Sequence, residues 1–247
     1  MSPTPHTFHY RACAHAFSGN ITRPFHQSID IQAPTVLPSI GGHGHSNVEN
    51  FQFREFFSFK RGYTHVSGSL SEKGTYDTLV TATVEGLNIF DVITADRVVA
   101  RLHSKHGKDD PEGVVSLVGS KFENLRILGC KVGLEIDFGI FEKALTLETA
   151  AKSAGLRRIG KGGAHAIAST CIKELNVEEL KIACPGLEPH EHGFHIKCFG
   201  NVFFGEVMIK HGEKTLTMIR LEMGSAVAGS GTVVEASSNG SPWPPTK

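Results

Sequence analysis

The sequence predicts an all-β protein: an antiparallel β-sandwich with Greek-key or jelly-roll-like connections and one or two short helices. Three observations carry this. Across residues 78–103, Leu79, Thr81 and Thr83 alternate with Val80, Ala82 and Val84; a break at Gly86, Leu87 and Asn88 follows, then a second β-rich run. Period-two alternation around a turn signal reads as strand, turn, strand. Residues 203–210 and 215–222 flank a short loop over His211 to Lys214, which reads as a hairpin. Twenty-seven glycines against 16 phenylalanines and one tryptophan imply many turns between aromatic-rich strands.

Each element follows in order. Residues 1–35 read as two strands: Phe8, Tyr10, Ala12 and Ala14 alternate with His9, Arg11, Cys13 and His15, and Ser18, Gly19 and Asn20 offer a turn. Residues 34–46 read as a loop, with two prolines and a Gly/His run. Residues 48–63 read as an aromatic-rich segment carrying Phe51, Phe53, Phe56, Phe57 and Phe59, with a phase shift at Glu55 and Phe56 that suggests a bulge. After the 78–103 hairpin come a charged turn at 106–113 and further strands at 114–118 and 125–138. Residues 141–154 are rich in helix formers and closed by Gly155, the pattern of a helix with a C′ glycine. Lys161, Gly162 and Gly163 read as a flexible loop, 170–180 as strand and 185–193 as loop. Residues 1–236 read as one sandwich domain, and 237–247 as a proline-rich tail with Trp243 as its anchor.

Composition bounds the function. Lys+Arg and Asp+Glu are both 25, so there is no basic excess to serve a nucleic-acid backbone. Near-zero net charge lowers the barrier to self-association. Cys13, Cys130, Cys171, Cys184 and Cys198 are widely spaced and odd in number, which reads as buried free thiols in a reduced compartment. No run approaches the ~18 apolar residues of a transmembrane helix. The N-terminus shows no secretory leader, so the default compartment is the cytoplasm.

Two clusters could hold a divalent transition metal (Zn, Ni or Fe), although the composition as a whole calls for no cofactor. His43, His45 and Glu49 match the H-x-H-x3-E spacing of the first metal motif of cupins, which are β-barrels, and residues two apart in an extended segment face one side. The cupin pattern also wants glycines where this chain has Leu37 and Phe56. His190 and His192, with His195 nearby, form the second cluster. No nucleophile elbow or phosphate loop occurs; Cys184 beside His190 reads as a structural thiol, and Gly160 to Gly163 is too short to cradle phosphate. Phe51, Phe53 and Phe57, together with Phe203, Met218 and Trp243, are the candidates for an apolar interface, because an exposed strand face or hairpin edge can extend a sheet into a neighbour.

Residues 86–98 (Gly86, Leu87, Asn88 through Thr94, Ala95, Asp96) and 119–129 (Gly119, Ser120, Phe122) resemble the choice-of-anchor P family. These are bacterial β-rich surface proteins in which a Gly-Leu/Val-Asn turn leads into a Thr-Ala-Asp strand and a Gly-Ser-x-Phe segment follows. The resemblance implies a β-rich fold and the option of surface attachment, and assigns no activity; this chain shows neither leader nor sorting signal. On residue grounds Asp96 is a strand-edge or turn-capping aspartate. The function expected from these readings is a non-enzymatic structural or assembly protein that pairs with copies of itself or a protein partner. A cupin-like metal enzyme using His43, His45 and Glu49 is the alternative. A sugar-binding sandwich using Tyr63, Tyr76 and Trp243 fits the scarcity of Trp and Tyr poorly.

Overall fold

Alternation of apolar and polar residues builds two antiparallel sheets that pack face to face in the computed structural model. The structure describes residues 7–243 apart from 109, 111, 144–145, 154–155, 160–164, 174–183 and 225. The first sheet runs β13 (Leu187–His190), β14 (Gly193–Ile196), β15 (Gly200–Lys210), β16 (Glu213–Met223), β17 (Ala228–Trp243), β1 (Thr7–Arg23) and β2 (Gln27–Gln32). Its β15 also pairs with β12 (Ala166–Thr170), and β1 with β3 (Thr35–Val36). The second sheet runs β11 (Cys130–Lys131), β10 (Arg126–Ile127), β7 (Ile93–His106), β6 (Tyr76–Ile89), β5 (Phe57–Leu70) and β4 (Gly42–Phe53), with β8 (Val114–Ser116) and β9 (Lys121–Glu123) also on β7.

The core is the set of inward side chains. On β1, Phe8, Tyr10, Ala12, Ala14 and Ala16 are buried while His9, Arg11 and Cys13 face solvent. Rings lock the sheets together: Phe17 lies 5.1 Å from Phe57, and Phe122 meets Phe204 edge-on at 5.8 Å. Gly68 and Gly41 make room for the Tyr10 ring, since a Cβ on either would come within 2.6 or 3.0 Å of it.

One irregularity shapes the first sheet. Alternation slips phase at a single cross-strand row, Ala16 on β1, Val234 on β17, Met218 on β16 and Gly205 on β15. All four positions interrupt otherwise continuous pairing, and Val234 and Gly205 have φ of 58° and 59°. Outward residues on either side of this row are therefore three apart in sequence instead of two. Phe203, Arg220, Thr232 and Ser18 lie on one side, and Glu206, Thr217, Glu235 and His15 on the other.

Several expected boundaries move. Ser18, Gly19 and Asn20 are strand, because β17 pairs with β1 through this stretch. Gly42 to Ser46 is strand, not loop. Arg54, Glu55 and Phe56 form the hairpin turn between β4 and β5 in place of the expected bulge; Asn50, with φ of 52°, interrupts the pairing without shifting the register. The β6–β7 turn falls at Phe90 and Asp91, where Asn88 Oδ1 accepts from the Asp91 N–H at 2.8 Å, and Gly86, with φ of 65°, interrupts the pairing within β6. The expected single helix is two, α1 (Ile140–Lys143) and α2 (Leu147–Lys152), the second capped at Thr146; Ala154 and Gly155 lie outside the described residues. Leu187–His190 is strand where a loop was expected. Residues 237–243, expected as tail, complete β17. Lys161 to Gly163 and residues 174–180 lie outside the described residues.

Cys130 and Cys184 are joined as a disulfide, which corrects the expectation of free thiols for that pair; Cys13 and Cys198 are exposed and Cys171 is buried, where desolvation pushes its thiol up to about 12.

The end of the sandwich near the β15–β16 turn buries charge. Lys214 faces inward, 1 % exposed, and its Nζ donates to Glu112 Oε2 at 2.9 Å. Glu112 also accepts from the Gly212 N–H, and its Oε1 lies 2.8 Å from His211 Nδ1. Beside it His106 is buried, with Nδ1 donating to the Asp110 carbonyl at 3.1 Å.

Burial pushes His106 below its ordinary value, partly offset by Asp110 and Glu112 and reinforced by Lys214. Burial likewise lowers His15, partly offset by Glu235. An imidazole whose pKa is depressed by folding binds fewer protons folded than unfolded, so its contribution is complete above 6.5 and is lost as pH falls towards the folded value. The melting temperature is expected to hold steady above pH 6.5 and to fall below it, and His106→Gln should flatten that slope. Differential scanning calorimetry across pH checks this; a melting temperature that rises on acidification contradicts it.

Candidate functional site

The phase slip places a cleft of about 470 Å³ on the outer face of the first sheet. It is bounded by the β13–β14 turn, β12, and the outward residues of β15, β16 and β17. At its centre Glu206 accepts from Arg220 Nε and Nη2 at 2.7 and 2.8 Å, a bidentate pair, and from His192 Nε2 at 2.7 Å. Burial opposes the Glu206 charge, yet the hydrogen bonds from His192 and Arg220 outweigh it and hold the carboxyl below its usual range. Arg220 is raised in turn: desolvation opposes its charge, and Glu206 and Glu222 overcome that. The Arg220 guanidinium sits 4.0 Å above the Phe203 ring, and His192 stacks on the same ring at 4.8 Å. Further along, Thr217 Oγ1 donates to Glu235 Oε2 at 2.8 Å, while His15 Nε2 and Ser18 Oγ gather on Thr232 Oγ1 at 3.1 and 2.8 Å.

The local sequence explains the placement. Glu191, with φ of 53°, makes the two-residue turn between β13 and β14 and swings His192 back over β15. Gly205 then turns Glu206 outward to meet it. Any Cβ at Gly205 would lie 2.8 Å from Cys171 Sγ and Ile172, so the position admits only glycine without a shift.

The second candidate region is the free edge of the second sheet. On β4, His43, His45, Asn47 and Glu49 all face outward and are exposed. No strand pairs on the far side of β4 among the described residues. At 12 residues β4 is the longest edge strand described. Its outward face opens a cross-strand charge row, Glu49, Arg61, Glu85, Arg97 and Glu123, in which Arg61 lies 3.9 Å from Glu49 and Arg97 2.6 Å from Glu85.

The expected metal groups are placed as follows. His43 and His45 do share a face, but Glu49 lies about 20 Å along the strand from His43 at ~3.3 Å per residue and pairs with Arg61, so the three do not converge on one ion. His190 and His192 both approach Phe203, at 5.9 and 4.8 Å, but flank a turn and do not point along one strand face. His195 bonds Asn201 at 2.8 Å instead of joining them. The two histidine clusters do not meet: β4 packs near β2, at the opposite edge of the sandwich from β13. Among the described residues no three His, Cys, Asp or Glu side chains are arranged to hold a metal ion. Of the apolar interface residues, Phe57 and Met218 are buried in the core, and Phe203 is buried on the outer face beneath His192 and Arg220; Phe51 and Phe53 are half-buried, and the side chain of Trp243 lies outside the described residues. Glu206, Arg220 and Glu235 escape sequence reading because little in their own strands marks the phase slip that gathers them; the one visible trace is the Gly205–Glu206 pair that interrupts the apolar run at 202–209.

Residues 86–98 and 119–129 form the β6–β7 hairpin and the segment through β9 and β10, and Asp96 is exposed on β7 with Asn124 Nδ2 donating to it at 3.2 Å. No helix among the described residues is long and apolar enough to cross a membrane. No curated protein and no solved structure matches the chain. A family model does match, over residues 8–157, more than half the chain and the whole of the second sheet together with β1 to β3. This protein therefore belongs to the family described as a domain of unknown function, DUF8256.

Proposed function

We propose that this protein is a non-enzymatic structural or assembly protein, and that β4 joins it to a second copy of itself. The observation that carries the reading is the long unpaired edge of β4, whose free N–H and C=O groups are a template for strand addition. Its outward residues are self-complementary. Antiparallel pairing about Asn47 sets His45 of each copy opposite Glu49 of the other, with Asn47 facing its own equivalent. A two-fold interface of this kind is isologous and closes on itself. Asn50, with φ of 52°, interrupts the regular pairing of β4 and so limits strand addition to the stretch before it.

Light scattering on the eluting protein tests this. A dimer is expected, joined by strand addition along β4. Glu49→Lys should weaken it, since a lysine would face the partner's His45, while leaving the melting temperature of the monomer nearly unchanged. A strict monomer at high concentration contradicts the proposal.

A further inference from the structure

The cleft on the first sheet has a chemistry that edge assembly does not use and does not depend on. His192 is 3 % exposed, and its Nε2 is committed to Glu206 at 2.7 Å. An ionised carboxylate only accepts, so Nε2 carries a proton, and a ring holding that one proton presents Nδ1 as an acceptor. Among the described residues Nδ1 has no hydrogen-bond partner. It faces Glu191 Oε2, a second acceptor, across 3.9 Å. An N–H donor about 2.8 Å from each would bridge them.

The charges of the cleft point the same way. Arg220 is held by Glu206 and Glu222, and Lys210 lies 3.7 Å from Glu213. Among the described residues Glu191 and Glu235 have no comparable cation: Glu235 takes a hydroxyl from Thr217, with His15 at 4.0 Å. Two carboxylates and an unpaired ring nitrogen therefore line a cleft shared with Lys210, Thr215 and Thr217, one wall of which is apolar, from Ile159, Ala168 and Met208. We infer that this cleft binds a primary alkylammonium group, its N–H donors shared between His192 Nδ1 and Glu191 and its aliphatic chain lying on the apolar wall.

Such a group can come from a free small amine or from a lysine side chain. Titration calorimetry on the full chain with n-pentylamine, n-pentanol, n-pentanoate and doubly capped lysine tests the inference and separates the sources. Saturable binding of n-pentylamine is expected with a Kd of about 1 mM or tighter, with no binding of the alcohol or the acid. Tighter binding of capped lysine would assign the site to a side chain of another protein, and weaker binding to a free amine. Glu191→Gln, at an exposed turn, should weaken binding about tenfold or more, the size of one charge-assisted hydrogen bond. His192→Phe, which keeps a ring over Phe203, should abolish it. Failure of n-pentylamine to saturate, equal binding of n-pentanol or n-pentanoate, or unchanged affinity in Glu191→Gln overturns the inference.

Discussion

Replacing Glu112 with alanine is expected to destabilise the protein by about 3–5 kcal/mol, because it leaves a lysine charge in the core without its partner. Lys214 is 1 % exposed and Glu112 Oε2, at 2.9 Å, is its acceptor. The same carboxylate also accepts from the Gly212 N–H, so its loss leaves a second donor unsatisfied. For a chain of this size the melting temperature should drop by roughly 6–20 °C. The paired replacement Glu112→Gln with Lys214→Met removes both charges and keeps the volume, and should restore most of that loss. Chemical denaturation of the two single variants and the double variant checks this. Additive losses in the double variant would show that Lys214 and Glu112 are not coupled.

The second large effect is expected at Gly205. Alanine there must adopt φ of 59°, at a cost of about 1–2 kcal/mol. Its Cβ would also meet Cys171 Sγ and Ile172 at 2.8 Å, and such overpacking costs about 1–3 kcal/mol. A total near 2–5 kcal/mol follows. The consequence is local as well as global. Gly205 is where β15 turns Glu206 outward, so a shift there separates Glu206 from both His192 and Arg220. Gly74, also at positive φ but with nothing within 4 Å of an added Cβ, is the control: Gly74→Ala carries only the backbone cost. Equal destabilisation by the two substitutions would contradict the role given to the phase slip.

The all-β sandwich was legible because inward and outward residues alternate over long runs, as on β1 from Phe8 to Ala16. Turn positions were less so. Ser18, Gly19 and Asn20 have turn chemistry, yet β17 and β2 flank them and the ladder overrides the local preference. Ser, Gly and Pro at 237–242 look like a tail, but β1 supplies a continuous partner. Pro242 is tolerated because β16 stops short of it, leaving β17 with a neighbour on one side only.

On β4, His43 and His45 were legible as side chains that share a face if extended, but the strand carrying them read as loop up to residue 46, and its distance from the other histidines could not be read. The cleft was half legible. His192 stood out as a histidine beside a turn, whereas Glu206 and Arg220 depend on the phase slip, and Lys214 sits in a short charged loop sequence that gives no sign of burial. Glu112, its partner, is distant in sequence and reaches it only through the meeting of the two sheets.

The assembly reading meets its most direct test at Asn47. Antiparallel partners lie about 4.5–5.5 Å apart between Cα atoms, within the range a disulfide can bridge. In a background with the exposed Cys13 and Cys198 changed to serine, Asn47→Cys should form covalent dimers under mild oxidation, with mass spectrometry recovering a peptide joined to its own copy. Ser28→Cys, exposed on β2, should remain monomeric. Absence of the Asn47 cross-link, or equal cross-linking at Ser28, would show that β4 is not where two copies meet.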